Sequence, residues 1–98
     1  MSQFGKTYDD LLENADNLEQ VVKGFNVMLK AAPNSEMAVN GIKKFETELK
    51  HNIDSRLDYL SLVLPVLKYA LDTGELSASF YDKVEDEIEA LEARKREF

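Results

Sequence analysis

His51-Asn52-Ile53-Asp54-Ser55-Arg56-Leu57-Asp58-Tyr59-Leu60-Ser61-Leu62-Val63-Leu64-Pro65-Val66-Leu67 decides the fold. It starts in residues of modest helix propensity, enters the most apolar run of the chain and holds a proline inside that run. It is either one helix or the place where two helices meet. Apolar phase discriminates between them. Ile42, Phe45, Leu49, Ile53, Leu57, Leu60, Leu64, Leu67 and Leu71 all fall within about 60° of one direction at ~100° per residue. That phase crosses both weak points, residues 51–55 and Pro65, without slipping. A chain that stopped and restarted would have no reason to preserve it. The spacing therefore predicts one long middle helix over residues 35–72, kinked near Pro65, where the ring removes the hydrogen bond to the Ser61 carbonyl. The alternative is a break within 51–55, giving four short helices.

Toward the N-terminus, Leu11, Ala15, Leu18, Val22, Phe25 and Leu29 keep 4-3-4-3-4 spacing, the signature of one helix face. This predicts a first helix over 8–31, with Thr7 as N-cap and Asp9 and Asp10 in a first turn whose dipole favours negative charge. The segment ends before Pro33, because the residue preceding a proline is pushed out of the α region. Gly24, inside the helix, suggests close approach of a neighbour. Asn34 or Ser35 caps the middle helix, and Met28 and Met37, on either side of the turn, read as core filler.

Toward the C-terminus, Asp72-Thr73-Gly74 is a stop, with Gly74 suited to the left-handed position after a helix. A third helix over 78–95 follows, capped by Ser77 or Ser79. Its apolar positions are Phe80, Val84, Ile88 and Leu91, with Tyr81 alongside. Residues 93–98 are mostly polar and are expected to fray. There is no strand alternation and no internal repeat. The expected fold is all-α: a single helical domain over 1–98, an antiparallel bundle of three helices.

Length then bears on assembly. A helix over 35–72 is about 57 Å long at ~1.5 Å per residue, so each shorter neighbour covers only one half of it. Each half becomes a two-helix layer, and two helices bury little. Leu62, Val63, Val66 and Ala70 spread apolar surface around the axis beyond the seam, with Tyr69 beside them, and a helix that is apolar on most sides is buried on most sides. Leu62, Val63, Val66 and Tyr69 are the candidate apolar interaction residues. The expected partner is another protein or the chain itself, with a homodimer the simplest source of the missing layer.

Composition narrows function further. The chain has 98 residues, 44% of them hydrophobic and 32% charged, with a net charge of −7. That acidity opposes polyanionic partners, so no direct nucleic-acid binding is expected. The apolar run of 60–71 spans about 18 Å of helix against a hydrocarbon core of ~30 Å, too short to cross a membrane. Without cysteine there is no disulfide framework or thiolate metal site. With no apolar leader-like run in Met1-Ser2-Gln3-Phe4-Gly5-Lys6, the expected location is cytoplasmic.

No motif points to an enzyme. The glycines are isolated, so no phosphate loop or cofactor cradle is expected. The lone His51 follows Glu48 in a Glu-x-x-His pattern, the half-site of ferritin-like di-iron centres. It lies about 200° from Leu49, however, facing away from the core, so no metal site is assigned and iron binding stays a remote alternative. Asp82, Glu85, Asp86 and Glu89 make a charged face on the third helix. A solvated surface explains it; a contact for a basic partner is the sharper reading. The expectation is thus a non-enzymatic interaction module, an adaptor, chaperone-like or regulatory subunit. The alternative is an acidic inhibitor that occupies a basic site on a nucleic-acid-handling protein.

Overall fold

The computed structural model describes the backbone of residues 2–98 and the side chains of residues 7–98. Met1 and the side chains of residues 2–6, on which the leader reading draws, lie outside the described residues. The described chain is all-α, with α1 at Ser2–Ala31, α2 at Glu36–Asp72 and α3 at Ala78–Arg96. The middle helix is continuous over 37 residues with Pro65 inside it, so the four-helix alternative falls. Every seam position from Ile42 to Leu71 is buried or half-buried. The chain forms two compact units that share α2, Met1–Asn52 and Ile53–Phe98.

In the first unit α1 runs antiparallel to the N-terminal part of α2. The Phe25 ring stacks on Phe45 with centroids 6.0 Å apart, while Asn52 Nδ2, farther along α2, donates to the Leu11 carbonyl at 2.9 Å. Ala15, Leu18, Ala38 and Leu49 are buried between the helices. Ser35 caps α2, accepting from the Ala38 N–H at 3.2 Å.

Three expectations are corrected in this unit. The close approach falls at Gly41, where an added Cβ would lie 2.7 Å from the Phe25 ring; Gly24 has nothing within 4 Å. Met28 and Met37 are exposed, because they sit at the turn, beyond the cover that one neighbouring helix gives. Helix α1 begins at Ser2, so Thr7 is inside it and its first turn carries no acid. Nothing in Gln3-Phe4-Gly5-Lys6 forbids a helix; Gly5 costs only about 1 kcal/mol.

In the second unit α3 runs antiparallel to the C-terminal part of α2. Lys95 Nζ meets Asp54 Oδ1 at 2.8 Å, Arg56 lies 3.9 Å from Glu87, and Lys68 sits 5.9 Å from the Tyr81 ring centroid. Ile53, Leu60 and Leu91 are buried, with Leu57, Leu64, Leu67, Val84 and Ile88 half-buried around them. Gly74 takes φ 81° after α2, and the Glu75 and Leu76 N–H groups return to the Ala70 carbonyl at 2.9 and 3.2 Å. These bonds satisfy a carbonyl the helix end leaves free. Ser77 is the cap of α3, accepting from the Phe80 N–H at 3.3 Å.

Helix α3 continues to Arg96, through the residues expected to fray. Beyond the bond from Lys95 to Asp54, Arg94 pairs with Glu97 at 3.3 Å and lies 5.3 Å from the Phe98 ring centroid. The hydrogen bond to Asp54, then the charge of that carboxylate, raises the Lys95 pKa above its usual value. Phe80, expected among the apolar packing positions of α3, is instead exposed. It lies in the first turn, at the end of the layer.

Candidate interaction surface

The C-terminal part of α2 has two apolar sides. Leu60, Leu64, Leu67 and Leu71 form the seam toward α3. Leu62, Val66 and Tyr69 follow each other at four and three residues, within about 60° of one another and centred roughly opposite the seam. They are 70%, 67% and 70% exposed. Val63, the fourth apolar residue singled out from sequence, lies toward the seam and is half-buried. The structure thus brings three of the four onto one open stripe and keeps Val63 at its margin.

Charge is sparse on this side between Asp58 and Asp72. Between Tyr59 and Leu71 the only charged residue is Lys68, which is turned toward α3 and pairs with Asp72 at 3.7 Å. A helix surface in water normally carries charges on the side its neighbours do not cover. Leaving such an apolar stripe wet forfeits about 25 cal/mol per Å² of burial.

The four acidic candidates stand on α3. Asp82, Glu85, Asp86 and Glu89 are exposed and, with Leu64 and Ile88, line an open concavity of about 530 Å³. Its apolar floor and carboxylate rim suit a segment carrying both an apolar side chain and a positive charge. Glu48 and His51 are both exposed, and no group of three or more His, Cys, Asp or Glu capable of holding a metal occurs among the described residues.

Sequence reasoning missed two features. Asn52 is 4% exposed and ties α2 to α1; its position three residues from Leu49, only about 60° around the helix, was the available signal. The exposed apolar residues at the α1–α2 turn, Val27, Met28 and Met37, had no such signal, since their phase does not reveal where cover ends.

No helix among the described residues is long and apolar enough to cross a membrane. No family model, no curated protein and no solved structure matches the chain.

Proposed function

We propose that this chain is a non-enzymatic protein-interaction module, an adaptor or regulatory subunit that works through the outer face of α2. The observation that carries the reading is the exposed stripe of Leu62, Val66 and Tyr69 on a stretch of α2, residues 59–71, whose single charge, Lys68, is turned toward α3. Burial of such a face against protein is favourable and needs no compensating ion pairs.

The test compares L62D/V66D with E85K/D86K in pull-downs by the tagged chain. Partners lost from the first variant and kept by the second support the apolar face. Equal recovery by parent and L62D/V66D would sink it. A second reading draws on the concavity that joins four carboxylates to Leu64 and Ile88: an acidic inhibitor whose α3 face occupies a basic site. Binding of that kind is lost in E85K/D86K and weakens steeply as salt rises, whereas apolar docking responds little.

A further inference from the structure

We infer that Asn40-Gly41 is a site of spontaneous modification by water: a deamidation site that α2 holds shut while the first unit is packed, and whose isoaspartyl product breaks that helix. Asn-Gly is ordinarily a turn pair, in which both residues take positive φ. Here neither does. The pair sits in the second turn of α2, with the Asn40 side chain exposed.

Packing explains the glycine. A Cβ at position 41 would lie 2.7 Å from the Phe25 ring, and that ring is stacked on Phe45. The close approach of α1 therefore leaves the peptide after Asn40 with no side chain to shield its nitrogen. In the reaction the Gly41 backbone nitrogen attacks Asn40 Cγ. An N–C bond forms, the Cγ–Nδ2 bond breaks, and Nδ2 leaves as ammonia with the proton of the Gly41 amide. One water then opens the five-membered imide at either carbonyl, giving aspartate or isoaspartate.

Helix geometry blocks the first step. Asn40 must rotate away from a helical ψ of about −42° to bring the Gly41 nitrogen onto its own Cγ. The Gly41 N–H must also leave the Met37 carbonyl, its acceptor four residues back in the ladder. Three ties hold that ladder in place: Ala38 is fully buried, Ser35 caps its N–H at 3.2 Å, and Phe25 lies over Gly41. Reaction thus passes through local opening, and its rate follows the opened population. The two products then differ. Aspartate leaves the main chain unchanged at an exposed position. Isoaspartate routes the main chain through the side-chain methylene, and the extra carbon does not fit the i→i−4 ladder.

The test ages the parent and Asn40→Gln at mildly alkaline pH, both folded and in guanidinium chloride. Mass spectrometry reads conversion of the Asn40 amide, and labelling by isoaspartyl methyltransferase reads the isomer. Conversion at Asn40 should be at least ~10-fold slower in the folded chain than in denaturant. Parent aged in denaturant and refolded should show less helical circular dichroism and a lower melting temperature than Asn40→Gln treated identically, which carries every change except the one at position 40. Asn40→Asp, the other product, should melt with the fresh parent. Equal rates in the two states, or an Asn40 that keeps its amide in denaturant, overturn the inference. An aged parent that refolds and melts like aged Asn40→Gln overturns its second half.

Discussion

Between residues 36 and 52, α2 carries Glu36, Lys43, Lys44, Glu46, Glu48 and Lys50, all exposed; between 59 and 71 it carries Lys68 alone. Both stretches belong to a two-helix layer, and both present a regular apolar seam to their neighbour. The first layer finishes its solvent side with charge, whereas in the second the charge on that side stops at Asp58 and the stretch from Leu62 to Tyr69 is apolar. The seam determines that two helices pair. The opposite face determines whether the pair is complete.

The largest expected effects test whether the seams are indeed equivalent. Leu49→Ala in the first unit and Leu60→Ala in the second each remove a buried leucine and leave a cavity, at about 3 kcal/mol apiece. Urea denaturation monitored by far-ultraviolet circular dichroism reads both. A loss below about 1 kcal/mol for either would mean that its layer repacks freely, and the two units would no longer be comparable in their cores.

Asn52 is the next lever, since the first unit has this polar tie from its buried face. Asn52→Ala removes the donor to the Leu11 carbonyl and is expected to cost about 1 kcal/mol. Faster amide exchange in α1, with α3 unaffected, would place the effect in the first unit; no change in α1 would show the bond to be dispensable.

A glycine pair sharpens the picture within that unit. Gly24→Ala has open space and gains helix propensity, raising stability by up to about 1 kcal/mol. Gly41→Ala gains the same propensity but drives a methyl into the Phe25 ring, for a net loss of about 1 kcal/mol. Melting temperatures that move in the same direction for both would show that the ring gives way easily.

The smallest effect concerns the second unit. Because the folded pKa of Lys95 is raised above the ordinary lysine value of 10.5, its bond to Asp54 contributes fully below the unfolded pKa. That contribution disappears as pH rises through the folded value. The end of α3 should therefore lose helical ellipticity in strong alkali, and Lys95→Gln should show a smaller alkaline step. Identical alkaline curves would remove the tie from the account.

Much of this was legible because the relevant physics is local or periodic. Phase alone carried α2 through residues 51–55 and Pro65, and Ser35, Gly74 and Ser77 fell where capping chemistry places them. The outer stripe was legible too, since Leu62, Val66 and Tyr69 are off-seam by spacing. Contacts between helices were not. That Phe25 lies over Gly41, or that Lys95 reaches Asp54, depends on the vertical register of two helices, which side-chain phase does not encode. The contacts of the C-terminus were hidden for the same reason: its residues look unattached until Asp54 is brought opposite.

Pro65 has a further consequence before the helix exists. In a nascent or unfolded chain, Leu62-Val63-Leu64-Pro65-Val66-Leu67 would, without its proline, be an uncharged hexamer rich in β-branched and leucine residues, the composition that stacks into cross-β fibrils. The ring withholds one backbone donor at the middle of that hexamer and so acts as a gatekeeper. Pro65→Ala should thus yield more thioflavin-positive aggregate on refolding than the parent; equal yields would deny the ring this protective part. The residue that interrupts the hydrogen-bond ladder of the finished helix would then guard the same segment on its way there.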